Sequence, residues 1–416
     1  MTSRERILAA IAHKPSDKVP VDLGATPSSG ISAIAYSNLL KYLGREDLPV
    51  RVYDVVQQLA KPDASILERF GVDVLDIGYA FDNEPECWHP TILANGDKAF
   101  YPKGFSPVKE ADGSFSCYDD EGARKLSKMP EGSTFFDQTF FPYLEGFPQD
   151  YSHMGDDMKL SQWGRFSPGP LHHSGEKDFW KTLREKAIEL RDTTGKAVIV
   201  GVGCNLFEWG TFLRRLDNFL MDLYLYPDEV ERFLDALLCR HLQTLEKVCE
   251  SVGDVVDMIK FGDDLGTMTG PFMDPDIYRK FFKPRQKQMC DYVKSHSSMH
   301  TYLHSCGSIY KLLPDLIDAG FEIINPVQTS ARDMEPARLK SEFGDAVTFW
   351  GGGIEPAGIL NGNDLGKIRE QVLERLEIMS KGGGYVFNTI HNILPEVPPQ
   401  NIIAMFDAVN EFNSKR

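Results

Sequence analysis

The sequence lacks any long hydrophobic run. No apolar stretch approaches the about 18 residues of a membrane-spanning helix, and the run nearest the start, residues 7–12, is too short for the core of a signal peptide. The seven cysteines are an odd number without regular spacing, which is typical of a reducing compartment rather than of a disulfide framework. We therefore expect a cytoplasmic protein with no membrane partner.

Positive charge is also scarce. The 416 residues include 45 Lys and Arg against 61 Asp and Glu, which gives a net charge of −16. Because this excess of acid repels phosphate backbones, nucleic acid is not expected as a ligand. Nucleotide chemistry has no support either, since the chain has no Walker A sequence and the glycine triplets at 351–353 and 382–384 lack the Gly-x-Gly-x-x-Gly spacing.

From about residue 176 onward, amphipathic helices alternate with short apolar runs rich in β-branched residues. This alternation predicts parallel strands joined by helices, and seven or eight repeats favour a single (β/α)8 TIM barrel over residues 1–416. An eighth strand is expected inside the irregular region near 80–175. A helical extension, with Ser3 as its cap, is predicted over 3–13. The seven predicted strands lie in residues 72–79, 197–202, 255–263, 299–307, 322–328, 347–353 and 384–392.

The region near 80–175 reads as an insertion. It is rich in Pro, Gly and aromatic residues, lacks long amphipathic helices, and contains a predicted hairpin that turns at Asp112-Gly113. Such a segment is expected to cap the mouth of the barrel. The mouth is the end of the barrel at which the carboxyl ends of its strands lie. Trp163, Arg165 and the pair His172-His173 could close over a ligand, although such residues are more often surface groups.

Polar residues end almost every predicted strand, where the functional groups of TIM barrels lie. Asn205, Gln328 and Asn388 are predicted to bind substrate. In the pair Asp263-Asp264, one carboxylate is expected to cap a helix, which leaves Asp264 as the candidate that faces the cavity.

His304 and Cys306 suggest a metal site. They are two residues apart on a predicted strand, so their side chains point to the same side, and an imidazole with a thiolate suits Zn²⁺. His391, at the end of another strand, is the best third ligand, with Asp264 and Cys204 as alternatives. The competing interpretation is a hydrogen-bonded histidine and an inert cysteine without metal.

Several of these segments together resemble the uroporphyrinogen decarboxylase superfamily. They are FGDDLGTMTGPFMDPDIYRKFFKP, HSCGSIYKLLPDLIDAGFEIINPVQ, WGGGIEP, FNTIHNILPEVPPQN and the opening RERILAAIAHKPSDKVPVDLG. The resemblance implies a TIM barrel, often a homodimer. It also implies either a porphyrinogen decarboxylase or a zinc-containing, cobamide-dependent methyltransferase.

Two features of the sequence distinguish the decarboxylase branch from the methyltransferase branch. The stretch PVDLGATPSSGISAIAYSNLL has no arginine, whereas the decarboxylases carry an arginine-rich segment there to pair with the carboxylates of their substrate. The methyltransferase branch has the His-x-Cys pattern that stands here at His304 and Cys306. Thiol methyltransferases of that branch complete the site with a cysteine, in place of which this chain has His391.

The resulting hypothesis is a zinc-dependent methyltransferase that moves a methyl group between a small donor or acceptor and a cobamide carried by a partner corrinoid protein. Its metal ligands would be His304, Cys306 and His391, with Asp264 and His391 as catalytic groups. The alternatives are a metal-free decarboxylase or lyase acting on a small carboxylate, with Asp264 stabilising charge and His391 donating a proton, and a non-catalytic ligand-binding barrel.

Overall fold

The computed structural model describes residues 1–416, which form 16 strands and 15 α-helices. The strands are β1 Ile31–Ser32, β2 Val52–Asp54, β3 Leu59–Ala60, β4 Val74–Asp76, β5 Trp88–Ile92, β6 Lys98–Pro102, β7 Val108–Lys109, β8 Phe115–Tyr118, β9 Lys125–Met129, β10 Asp137–Gln138, β11 Ala197–Gly203, β12 Met258–Gly262, β13 His300–His304, β14 Ile323–Asn325, β15 Thr348–Trp350 and β16 Tyr385–Val386. The helices are α1 Ser3–Ile11, α2 Ala33–Tyr42, α3 Ala64–Arg69, α4 Met154–Lys159, α5 Gln162–Phe166, α6 Phe179–Thr194, α7 Phe207–Arg214, α8 Leu216–Leu225, α9 Pro227–Val252, α10 Pro275–Phe281, α11 Lys283–His296, α12 Leu313–Ala319, α13 Pro336–Phe343, α14 Leu365–Met379 and α15 Pro399–Asn413.

The seven predicted barrel strands form one parallel sheet in the order β16-β15-β14-β13-β12-β11-β4. Helices separate most successive strands along the chain, as a TIM barrel requires. The predicted fold class is therefore confirmed.

Residues 19–23, here called the closing segment, close this sheet into a barrel. The amide of Asp22 donates to the carbonyl of Phe387 at 2.9 Å, beside β16, and the amide of Asp73 donates to the carbonyl of Val21 at 2.8 Å, beside β4. The expectation that the eighth strand lies within 80–175 is therefore wrong. The sequence pattern missed this segment because it is short, begins beside Pro20 and carries a charged residue.

An apolar layer fills the inside of the barrel. Seven strands and the closing region contribute to it, and three residues of α1 complete it from the amino-terminal end of the strands. The members of this layer are Ile7, Ala10, Ile11, Ala25, Val74, Ala197, Ile199, Met258, Tyr302, Ile323, Trp350 and Val386. The layer and α1 thus form a floor below the mouth.

Helix α1 is fixed to this end of the barrel by charge pairs and by its cap. Arg4 contacts Asp257 at 2.8 Å and Arg6 contacts Asp73 at 2.5 Å, and both carboxylates lie directly before barrel strands. The helix cap is Thr2, whose hydroxyl accepts from the amide of Glu5, whereas the sequence pattern favours Ser3. None of the helices in the structure is both long and apolar enough to cross a bilayer.

The region 80–175 contains small antiparallel sheets and short helices. Strands β5 and β6 form a hairpin, and β7 to β10 form a four-stranded sheet. The predicted turn lies between β7 and β8, where Gly113 has a φ of +81°, a backbone conformation that favours glycine. Helices α4 and α5 span only six and five residues, in agreement with the absence of long amphipathic helices from the sequence.

We expect Ile7→Ala to lower the free energy of unfolding by about 2 to 5 kcal/mol, because it removes a fully buried side chain from the apolar layer and leaves a cavity. Chemical denaturation of both proteins would measure the change. The matched control is Ile92→Ala, where the isoleucine is 59% exposed and the expected effect is within about 0.5 kcal/mol. Equal effects of the two substitutions would contradict the role given to α1.

Candidate metal centre at the barrel mouth

A cavity of about 560 Å³ opens at the carboxyl ends of the barrel strands. Its wall includes residues of β11 and β12 and of the loops that follow the barrel strands, together with Phe135, Trp163 and His172 from the 80–175 region. A cavity of this size is typical of a site for a small molecule.

His304, Cys306 and His391, here called the ligand trio, meet at this cavity. One possible ligand atom from each residue lies within 4.8 Å of the other two. The Nε2 of His304 is 3.5 Å from the Sγ of Cys306, and the two imidazole centroids are 5.9 Å apart. A tetrahedral zinc ion with ordinary bond lengths places nitrogen and sulfur ligands about 3.6 Å apart. The distance between His304 and Cys306 therefore fits two ligands of one zinc ion.

Asn325 determines which nitrogen of His304 is free. Its Nδ2 donates to the backbone carbonyl of Trp350 at 2.9 Å, and because a carbonyl only accepts, this contact fixes the orientation of the amide. The Oδ1 of Asn325 then accepts from Nδ1 of His304 at 2.7 Å and from Ser28 at 2.7 Å. The proton of a neutral His304 is thus on Nδ1, and the lone pair of Nε2 points toward Cys306. An orienting partner of this kind is usual for a metal-binding histidine.

Cys306 is positioned by the close approach of two loops. Gly307 has a φ of +85°, and a Cβ at this position would lie 2.3 Å from the backbone of Gly266, so only glycine fits there. This contact brings the amide of Cys306 to Asp264 Oδ1 at 2.8 Å. Burial, together with the charge of Asp264, raises the pKa of the Cys306 thiol well above its usual value. Binding of a metal would have to displace the thiol proton.

The two neighbouring aspartates have different environments. Asp263 is completely buried and accepts from the amides of Leu206 and Glu208, at 3.1 and 3.0 Å, and from Gln286 at 3.1 Å. It therefore caps the start of α7, and burial raises its pKa to about 7 despite these donors. Asp264 lies on the cavity wall, with Oδ1 3.6 Å from the Nε2 of His304.

The alternatives for the third metal ligand lie outside the ligand trio. Cys204 and Asp264 both line the cavity, but neither belongs to the group of three whose ligand atoms converge. Burial raises the pKa of the Cys204 thiol, which disfavours its thiolate form. His391 is the residue that the structure brings to His304 and Cys306.

The three predicted substrate-binding residues have different positions. Asn205 lies on the cavity wall and donates to Glu208. Gln328 does not line the cavity. Its Oε1 accepts from the amide of Gly307 at 2.8 Å, and this contact holds the loop that carries Cys306. Asn388 is buried behind the wall, where its side chain donates to the carbonyl of Thr389.

Five charged residues on the wall were not selected from the sequence as site residues: Asp54, Asp76, Glu208, Arg240 and Lys260. Asp76 and Lys260 stand two positions after Val74 and Met258 of the apolar layer, so both occupy inward-facing strand positions. A charged residue at such a position could have identified them as site residues from the sequence. Burial and the charge of nearby carboxylates raise the pKa of Glu208 well above its usual value. Burial lowers the pKa of Lys260, while nearby carboxylates oppose that shift.

Comparison with known families gives one match that spans the candidate site. The family model for uroporphyrinogen decarboxylase (URO-D) matches residues 190–412, which is more than half of the chain and includes the whole ligand trio. The chain belongs to the uroporphyrinogen decarboxylase family.

Relatives within this family have different activities. The chain is 30% identical over 160 residues to the methylcobamide:CoM methyltransferase MtaA of Methanosarcina barkeri, an alignment that covers 37% of this chain and 44% of the relative. It is 25% identical over 195 residues to the uroporphyrinogen decarboxylase of Chloroherpeton thalassium, covering 44% of this chain and 53% of the relative. The alignments thus span about half the length of these relatives.

A solved structure shares the fold across the whole chain. It is a methyltransferase from Methanosarcina mazei, with a TM-score of 0.57 and 20% sequence identity, and the superposition covers 99% of both chains. At this level of identity the likeness concerns the fold of the uroporphyrinogen decarboxylase family and not its activity.

We expect Asp263→Ala to lower the free energy of unfolding by about 2 to 5 kcal/mol, since it leaves the amides of Leu206 and Glu208 and the side chain of Gln286 without their acceptor. Denaturant unfolding of the purified protein measures this. Asp345→Ala serves as the control, because Asp345 is exposed, and its expected effect is within about 0.5 kcal/mol. A similarly small effect at Asp263 would show that water replaces the lost acceptor.

Proposed function

We propose that this chain is a zinc-dependent methyltransferase that moves a methyl group between a small molecule and a cobamide carried by a partner corrinoid protein. The observation that carries this proposal is the arrangement of His304, Cys306 and His391 around one point, with the lone pair of His304 Nε2 directed there by Asn325. Two imidazoles and a thiolate are ligands that zinc prefers.

The chemistry of this donor set agrees with a catalytic rather than a structural zinc. Three protein ligands leave a fourth position open, and His304 and His391 both line the cavity from which a substrate would reach it. A bound zinc would supply Lewis acidity, either to activate a methylated heteroatom as a leaving group or to hold an acceptor thiol as thiolate. The spacing of the ligands is compatible with both directions of transfer.

The protein's own groups have distinct tasks in this proposal. Asp264 holds the Cys306 loop through the 2.8 Å contact with the amide of Cys306, and its carboxylate adds negative charge beside His304. Glu208 lies on the wall next to Asn205, and its raised pKa leaves a proton available for a substrate heteroatom. The 80–175 insertion, with Trp163 on the wall, would exclude water and select the substrate.

The charges in the cavity favour this proposal over decarboxylation of a polycarboxylate. Lys260 lies on the wall among Asp76, Glu208 and Asp264, so its positive charge already faces carboxyl groups of the protein. Residues 25–28, which line the cavity after the closing segment, are Ala, Thr, Pro and Ser and offer no cation. Arg165 and Arg240 also line the cavity, and Arg165 is paired with Asp120. A substrate with many carboxylates would therefore meet one cation, Arg240, that is not already engaged by carboxyl groups of the protein.

Cys306→Ala is expected to abolish zinc binding at the ligand trio and methyl transfer while leaving the fold largely intact. Alanine offers the metal no ligand, and two imidazoles alone chelate zinc poorly. Loss of the small side chain should cost only about 1 to 3 kcal/mol of stability. The measurements are zinc content, thermal midpoint, and transfer of methyl groups from candidate donors to cob(I)alamin.

The control for this experiment is Cys239→Ala, which removes an exposed thiol that belongs to neither group of metal-ligand residues and should change neither zinc content nor activity. Retention of zinc at the ligand trio, together with activity, by Cys306→Ala would overturn the proposal. A zinc-free wild-type protein that decarboxylates a small carboxylate would favour the alternative reaction.

Glu208→Gln is expected to lower the rate of methyl transfer about 10²- to 10⁴-fold while leaving the zinc content unchanged. The amide keeps the shape and the contact with Asn205 but has no acidic proton to give. Steady-state kinetics and zinc analysis measure the two effects separately. Glu121→Gln, at an exposed position, is the control, and loss of zinc from Glu208→Gln would point to a role at the metal instead.

A further inference from the structure

A second group of metal-ligand side chains lies at the rim of the same cavity. Asp82, His172 and His173, here called the rim cluster, each offer one ligand atom, and these atoms lie within 4.8 Å of one another. His172 is part of the cavity wall. None of the three belongs to the ligand trio or has a task in the proposed reaction.

Hydrogen bonds set both imidazoles of the rim cluster in the same tautomer. Nδ1 of His172 is 2.5 Å from the carbonyl of Gly169, and since a carbonyl only accepts, this nitrogen donates. Nδ1 of His173 is 2.5 Å from Oε1 of Glu176, a carboxylate that likewise accepts. When neutral, both rings therefore present Nε2 as a lone pair. A histidine whose other nitrogen donates to a carbonyl or a carboxylate is typical of metal sites.

The Asp82 carboxylate remains available for a metal. Its one ion-pair contact is a loose one, 3.8 Å from Nε2 of His173. The nearby Lys61 does not neutralise it, because the ammonium donates instead to the carbonyl of Phe81 and to Asn83, both at 2.9 Å. A zinc ion places nitrogen and oxygen ligands about 3.4 Å apart, so a small closure of the observed gap would suffice.

We propose that Asp82, His172 and His173 bind a second zinc ion, separate from the one at the ligand trio. Two imidazoles with one carboxylate are a common zinc donor set, and their borderline character favours zinc over calcium or magnesium. This inference goes beyond the proposed methyl transfer and does not depend on it.

The position of the rim cluster indicates what such an ion would do. Asp82 follows the helical turn Ile77–Ala80 after β4, whereas the two histidines end the turn Pro170–His173, which lines the cavity. A zinc ion would therefore tie the start of the 80–175 insertion to its end. Since metal ligation adds folding free energy, it would hold this side of the cavity in place.

The test counts zinc ions in variants that separate the two sites. Chelator-treated protein is titrated with zinc, and wild type is expected to bind two ions per chain. Cys306→Ala and His173→Ala should each bind one, and the double variant none. His153→Ala, an exposed histidine in the same insertion, is the control and should keep two.

Cobalt substitution distinguishes the sites by their ligands. Co²⁺ bound at the ligand trio should show thiolate charge-transfer absorption, whereas Co²⁺ in the rim cluster has no thiolate ligand and should lack it. The Cys306→Ala protein is therefore expected to bind one Co²⁺ without that absorption.

A further variant keeps the test valid if His173→Ala disturbs folding. Glu176→Gln leaves both imidazoles and Asp82 in place but weakens the acceptor for His173, and is expected to lower zinc affinity at the rim cluster by about 10- to 100-fold. Identical zinc binding by Cys306→Ala and by the double variant would overturn the second site. If Cys306→Ala instead kept two ions, the proposed methyltransferase centre would fail and the rim cluster would be judged by His173→Ala alone.

Discussion

A chain of hydrogen bonds through the barrel wall holds the candidate metal centre in place. The Asp22 carboxylate accepts from the indole of Trp350, the carbonyl of Trp350 accepts from the amide of Asn325, and Oδ1 of Asn325 accepts from His304. Each direction is fixed, because indole only donates and a backbone carbonyl only accepts. This series of hydrogen bonds joins the closing segment to β15, β14 and β13. The orientation of one imidazole therefore depends on the closure of the whole barrel.

Along several barrel strands, an inward-facing residue of the apolar floor is followed two positions later by a residue of the cavity wall. This arrangement explains why much of the site could be predicted. Tyr302 belongs to the apolar floor, and two residues later His304 lies on the cavity wall. The period of two along a strand therefore predicts that His304 lies above the apolar floor, without knowledge of any other strand. Strand β13 ends at His304, so Cys306 lies in the following loop, and its place beside His304 depends on the contact between Gly307 and Gly266. The position of His391 followed from the rule that parallel strands end at the same edge of a barrel.

The parts that could not be predicted depend on contacts between distant segments. Asn325 is the last residue of β14, and its hydrogen bond to Trp350 is set by the register of two strands, which the sequence alone does not reveal. Gln328 stands at a strand end like the others, yet it holds the loop at Gly307 instead of facing the cavity. The closing segment was also missed. What identifies it as part of the barrel is the parallel bridge between Val21 and Phe387, a contact between distant parts of the sequence.

The floor formed by α1 and the apolar layer leaves the mouth as the way into the cavity. A small molecule and a protein-borne cobamide would then have to share one entrance. The smaller reactant must enter first and lie deeper, because a docked protein would cover the opening behind it. For the proposed methyl transfer, the shape of the barrel would impose a compulsory order of binding, in which the corrinoid protein dissociates before the small product can leave.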